Sequence, residues 1–208
     1  QILAMVGSAD FDNAAIDGNV NAAISLRQPG SSIKSILYAA AFNDNVISPS
    51  SILWDLPVQY QVNEFTVYTP VNYDSKFHGP VTARSALANS YNVPAIKLID
   101  SVGPDRMAQV GNAMGLTDLS TSPGMYGLPL TLGANEVTLL DLTTAYHTIL
   151  NHGAHSNTRS VLEATDGQGN PVQLEAPQVT TQVISPDAAY NVTSILSDPQ
   201  ARAPAFGI

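Results

Sequence analysis

The chain has 208 residues, 17 acidic and 8 basic side chains and a net charge of −9, with 44% hydrophobic and 12% charged residues. This is the composition of a folded chain long enough for one sizeable domain, and its acidity argues against a nucleic-acid partner, which needs clustered lysine and arginine. The absence of cysteine excludes thiol catalysis, disulfides and zinc–thiolate sites, and no apolar run is long enough to span a bilayer.

Residues 2–6 (ILAMV) read as a buried strand closed by Gly7-Ser8. Because the chain opens inside that strand, it is expected to be a piece of something longer. Residues 11–30 are rich in Asn, Asp and Gly and predict a loop with at most one helical turn. After Pro29-Gly30, residues 31–43 (SSIKSILYAAAFN) predict a helix with one buried face formed by Ile33, Ile36, Leu37, Ala40 and Ala41. The proline-punctuated stretch from Pro49 to Pro80 predicts irregular surface chain. Further helices are expected over 80–89, started by Pro80, over 94–101 and over 103–115. The longest is expected over 135–151, capped by Asn135 and ended by His152-Gly153. Residues 161–175 alternate around a glycine-rich turn and predict a β-hairpin, and a last helix runs from Pro186 to 197, before Asp198-Pro199. The sum is a helix-rich α+β chain, a single domain over 1–208 with no internal boundary.

Ser31 and Lys34 lie three apart, hence on one helix face. A serine hydroxyl needs a base to become a nucleophile, and a lysine can be that base if burial and neighbouring cations lower its pKa. Backbone N–H groups at the helix start can hold a developing oxyanion. The plain alternative is an N-cap serine beside a solvated lysine. Ser32 is the rival nucleophile, but its lysine stands two residues on, off its face. A second stretch, Ser90-Tyr91-Asn92 between two helices, offers a hydroxyl for proton relay and a carboxamide for substrate. Each motif alone is common.

Together, Ser-x-x-Lys and Ser-x-Asn are two of the three motifs of penicillin-binding proteins and class A β-lactamases. The surroundings carry the resemblance much further. ILAMVGSADFD, VNAAISLRQPGSSIK, YTPVNYDSKFHGPVTARSALANSYNVPAIKL, YGLPLTLGANEVTLLDLTTAYHTILNHG and SPDAAYNVTSILSDPQARAPAFG all resemble the transpeptidase domain of bifunctional (class A) penicillin-binding proteins, in order, over nearly the whole chain. The resemblance implies the penicillin-binding protein/serine β-lactamase-like fold, a helical subdomain against an antiparallel sheet with the active site between. It also implies acylation of a serine by the D-Ala-D-Ala end of a peptidoglycan stem peptide and transfer to an amine, with β-lactams acylating the same serine. By position, Ser31 is the nucleophile, Lys34 the general base, Ser90 the relay to the leaving amine and Asn92 the holder of the substrate amide. Ser35 departs from the family, which usually has proline there. No cofactor and no metal are implied. The parent protein is expected to be membrane-anchored on the outer face of the bacterial cytoplasmic membrane.

The family's third motif, Lys-Thr-Gly, does not occur in the sequence. The chain is therefore expected to be an internal fragment with an incomplete antiparallel sheet, lacking the cation for the substrate carboxylate and one oxyanion donor. His78, in the family-like Phe-His-Gly-Pro, reads as structural. His147 is mid-helix, and His152 and His155 lie near a helix end. Asp74, Glu136 and Asp141 lack metal-ligand spacing, with Glu136 and Asp141 serving a helix start or surface. Three functions stay open: a transpeptidase fragment, a free-standing truncated serine hydrolase (a carboxylesterase or β-lactamase-like enzyme) acting on a small ester or β-lactam, and a non-catalytic piece that needs a partner chain. Ile2, Leu3, Met5 and Val6, as an apolar strand with a free edge, predict a homodimer through the incomplete sheet, with the second subunit placing a residue near Ser31.

Overall fold

Small and apolar residues dictate the centre of the molecule. In the computed structural model, which describes residues 2–161, 163–172 and 179–207, every side chain from Ile33 to Phe42 is buried. A helix apolar on all sides has to be surrounded rather than laid on a surface. This helix, α1 (Lys34–Asn43), follows a 3₁₀ turn over Gly30–Ile33. The expected single buried face is thus too narrow, since Tyr38, Ala39 and Phe42 are enclosed as well.

The surrounding helices are α2 (Ala83–Ala88), α3 (Asn92–Val102), α4 (Pro104–Ala113), α5 (Leu139–Leu150), α6 (Pro186–Leu196) and α7 (Pro199–Phe206). α2, α3, α4 and α6 pack directly on α1. The starts of α2, α5, α6 and α7 are set by hydroxyl and carboxylate caps that satisfy free amides of the first turn. Thr82 accepts from Ser85 N–H at 3.1 Å, which begins α2 three residues after the predicted Pro80. Thr138, not Asn135, caps α5 by accepting from Asp141 N–H at 3.0 Å, leaving 135–138 outside the helix. Pro199 does not merely end the previous helix. It is the first residue of α7, which Asp198 caps at Gln200 and Ala201 and which the sequence reading missed.

Sheet is scarce and wholly antiparallel: β1 (Ile52–Asp55) with β4 (Gly79–Thr82), β2 (Tyr60–Asn63) with β3 (Thr66–Tyr68), and β5 (Ala154–Ser156) with β6 (Thr180–Gln182). Three of these strands, and the start of β4, lie in the stretch expected to be irregular. Pro80 sits opposite Trp54 in a two-stranded ladder, where a missing N–H is tolerated at the edge. Of the predicted hairpin, residues 162 and 173–175 lie outside the described residues, and the rest shows a single bridge between Thr165 and Pro171. His155, near the end of α5, lies in β5, its Nδ1 3.2 Å from Thr148 Oγ1.

Residues 2–6 form no strand, because none of the described segments pairs with them as a ladder partner. Leu3 and Val6 are 87% and 77% exposed. The segment borders an apolar groove of about 350 Å³, with Leu139, Leu140 and His147 of α5 on its other side.

Inside the core, the Tyr38 hydroxyl is buried without a hydrogen-bond partner among the described residues, and burial pushes its pKa up. A buried unpaired hydroxyl costs roughly 1–3 kcal/mol. Tyr38→Phe keeps the ring and removes the orphan, so it should raise stability by about 1 kcal/mol in thermal melts. A clear fall in melting temperature would show that the hydroxyl is satisfied after all.

Candidate active site

The turn carrying Ser31 is fixed from behind by two close backbone approaches. Arg27 and Val137 exchange both backbone hydrogen bonds at 3.0 Å, which holds the incoming chain. Gly30, at φ 58°, then lies against Gly133, at φ 77°, and a Cβ on Gly133 would stand 2.3–2.5 Å from Gly30 backbone atoms. Only glycine fits there. Ser31 is exposed on this turn, whereas Ser32 donates its hydroxyl to the Pro29 carbonyl at 2.6 Å. Tyr146 of α5 adds a third restraint, donating to the Ser32 carbonyl at 2.8 Å with its hydroxyl 2.9 Å from Ser35 Oγ. That pairing gives the serine in the family's proline position a structural use.

One turn further, Lys34 is 1% exposed. Its Nζ donates to the Ser90 carbonyl at 2.6 Å and to Asn92 Oδ1 at 2.7 Å, and lies 3.2 Å from Ser90 Oγ. Burial alone, without help from neighbouring cations, lowers its pKa from the ordinary amine value to about 7. Ser90 reaches this position with φ at 56°, a left-handed conformation unusual for a residue with a Cβ. Asn92, the first residue of α3, donates its Nδ2 to the Val71 carbonyl at 2.9 Å, which turns Oδ1 towards Lys34.

Ser31, Lys34 and Ser90 open onto one cleft of about 180 Å³, with Tyr146 on one side and Arg202 and Phe206 of α7 on another. Asn92 is joined to this group through Lys34 but does not line the cleft. Arg202 stands 4.8 Å over the Phe206 ring. The sequence reading missed Arg202 because it missed α7, and missed Tyr146 because nothing local marks a partner 114 residues from Ser32. No histidine lines this cleft: His78 faces Asp55 and Asp74, and His147 borders the apolar groove. Asp141 accepts from the backbone N–H of Thr117 at 3.1 Å. Among the described residues, no group of three or more His, Asp or Glu could hold a metal.

A helix-rich α+β chain with a serine on the turn before a buried, neutralisable lysine is, as a class, suited to acyl transfer through serine. Residues 1–204 match the family model of the penicillin binding protein transpeptidase domain. The chain belongs to this family, whose members are serine acyltransferases. It is 31% identical over 193 residues to penicillin-binding protein 1C of Escherichia coli (strain K12), matching 93% of this chain and 23% of that protein. The chain thus spans about a quarter of the length of such relatives. Among solved structures, penicillin-binding protein 1A from Haemophilus influenzae superposes with a TM-score of 0.76 at 26% identity, over 86% of this chain and 31% of that one. Penicillin-binding protein A from M. tuberculosis, solved as an imipenem acyl-enzyme complex, gives a TM-score of 0.74 over 93% of this chain and 48% of that one. At 20% identity that second likeness concerns the fold.

The Gly30–Gly133 contact gives a direct test of how the turn is held. Gly133→Ala brings both a backbone collision and a strained φ, and should cost about 2 kcal/mol or more of stability in denaturant titrations. An effect below about 0.5 kcal/mol, the range of neutral surface changes, would show that the turn is free to shift.

Proposed function

We propose that Ser31 is the nucleophile of a penicillin-binding transpeptidase and that Lys34 is its general base. The observation that carries this is the buried Lys34 amine, brought to about pH 7 directly behind the exposed serine turn. A neutral amine has two N–H donors and one lone pair. The Ser90 carbonyl and Asn92 Oδ1 take the two donors, which leaves the lone pair for a hydroxyl proton. As Ser31 Oγ attacks the carbonyl carbon of the acyl donor, its proton passes to Lys34 Nζ. Backbone N–H groups of the Gly30–Ile33 turn stabilise the tetrahedral oxyanion. The intermediate collapses when Ser90 Oγ, 3.2 Å from Lys34 Nζ, relays the proton to the leaving amine. The acyl group stays on Ser31 until an acceptor amine reverses the sequence.

The acyl donor proposed is the D-Ala-D-Ala end of a peptidoglycan stem peptide, with β-lactams as its mimics. Membership of the penicillin binding protein transpeptidase family supports the second part. Asn92 has both ends of its amide engaged, so in this state it orients Lys34 and would hold the substrate amide only by releasing Val71. Arg202, across the cleft, is the permanent cation available to a substrate carboxylate. The parent protein is proposed to work on the outer face of the bacterial cytoplasmic membrane, although no described helix is long and apolar enough to cross one. Exposed Leu3, Met5 and Val6 beside the apolar groove favour pairing of two copies there. Light scattering at micromolar concentration should then show a dimer, and a stable monomer would refute the pairing.

Labelling with a fluorescent penicillin tests the site. Ser31→Ala should abolish labelling, while Ser32→Ala, which loses only a turn hydrogen bond, should slow it less than about tenfold. Lys34 acts when deprotonated, so the rate should rise with pH through about 7 and vanish in Lys34→Ala. Equal losses at Ser31 and Ser32, or a flat pH profile, would overturn the assignment. Release of nitrophenol from a butyrate ester without penicillin labelling would favour a plain serine hydrolase.

A further inference from the structure

The loop that closes over Lys34 is gripped from outside the cleft, by residues that the acyl-transfer scheme does not use. α3 begins at Asn92, and its N-cap residue Tyr91 makes no side-chain cap. The missing acceptor arrives from far back in the chain. Asn72 Oδ1 accepts from Asn92 N–H at 2.8 Å and from Val93 N–H at 3.2 Å. Asn72 is itself buried, and its Nδ2 donates to the two Asp55 oxygens at 2.9 and 2.8 Å and to the Lys76 carbonyl at 2.8 Å.

Asp55, at the end of β1, is completely buried and also accepts from His78 N–H at 3.0 Å, with His78 Nδ1 2.7 Å away. The His78 ring stacks on Tyr91, with centroids 4.1 Å apart and planes 14° apart. One buried carboxylate therefore fixes two arms. Asn72 holds the backbone at 92–93, and His78 holds the ring of Tyr91. Immediately before these grips lies Ser90 in its left-handed conformation, its carbonyl on Lys34. An isolated buried carboxylate is expensive, and a single cap at position 91 would have served α3 more cheaply.

We propose that Asp55, Asn72 and His78 form a clamp that holds the Ser90–Asn92 loop shut over the Lys34 amine. All three are positioning residues. With the loop shut, Nζ meets the Ser90 carbonyl and Asn92 Oδ1 in place of water. Once the clamp opens, the amine is hydrated, regains its proton at neutral pH and ceases to be a base. The ionisable groups facing Lys34 across the cleft are Tyr146 on α5 and Arg202 on α7, and no carboxylate lines the cleft among the described residues. What the clamp governs is therefore access of water to the amine rather than a counter-ion. Its effect on rate rests on the reading of Lys34 as the base, while its hold on the loop is measurable without any activity.

The test is Asn72→Ala in the full chain, read by amide hydrogen exchange and by the pH dependence of penicillin acylation. The Asn92 and Val93 amides should exchange at least about tenfold faster, with the α6 amides of Val192 and Ile195 unchanged. The acylation midpoint should rise by about one pH unit as the amine becomes hydrated. If thermal melts show that Asn72→Ala does not fold, His78→Ala takes its place, because it leaves the Asp55–Asn72 pair intact. It should speed exchange at 91–93 less, and His78→Phe, which restores a ring against Tyr91, should recover most of the protection. Unchanged exchange at 91–93 in a folded variant would overturn the clamp. So would faster exchange with an unmoved acylation midpoint. A wild-type chain that is never acylated would instead refute the role given to Ser31, and exchange alone would then decide the clamp.

Discussion

The burial of one amine organises this molecule. A lysine removed from water without an anion beside it loses its charge, because desolvation penalises the protonated form and nothing repays the loss. Lys34 is in that position, enclosed by α1 and its neighbours and met by a backbone carbonyl and two side-chain oxygens. The surrounding architecture is what such a site requires. α1 has to be buried on all sides for its first residue to be dry, and the chain after Leu87 has to fold back over the amine. That return passes through Ser90 at positive φ, a local strain that the contacts around it must hold in place.

Much of the helical framework was legible in the sequence because its signals are local. Pro104, Gly115, Pro186 and His152-Gly153 act within a turn of where they stand, and the helices they bound fall close to expectation. Errors arose where two local signals competed. Pro80 and Asn135 look like helix starts, yet Thr82 and Thr138 hold the hydroxyls that reach free amides. Pro199 looks like an end and is a beginning. The strands between 52 and 82 are hard to read because proline and aromatic residues mask their alternation, and because β1 pairs with β4 across a long stretch of sequence.

For the site, the spacing of Ser31 and Lys34 could be read directly, since the helix period alone puts them on one face. Ser90 and Asn92 are ordinary helix-boundary residues whose chemistry makes them candidates and whose roles come from resemblance, and the fold brings their oxygens onto Lys34. Asp55, Asn72, Tyr146 and Arg202 could not have been found this way. Each reaches the site through tertiary contacts that have no local pattern: Asn72 across 20 residues to Asn92, and Tyr146 across 114 to Ser32. Ser35 shows the converse. In the sequence it is a departure from the family, and in the fold it is half of a hydrogen-bonded pair with Tyr146.

The ionisation of Lys34 itself is the most direct test of this account. The chain has three lysines, Lys34, Lys76 and Lys97, so their side-chain ¹³Cε resonances can be followed individually across a pH titration by NMR and assigned by substitution. Lys34 should titrate at about 7. A Lys34 midpoint at the ordinary lysine value of about 10.4 would contradict the account, because the amine would then be charged and hydrated at neutral pH and could not activate Ser31.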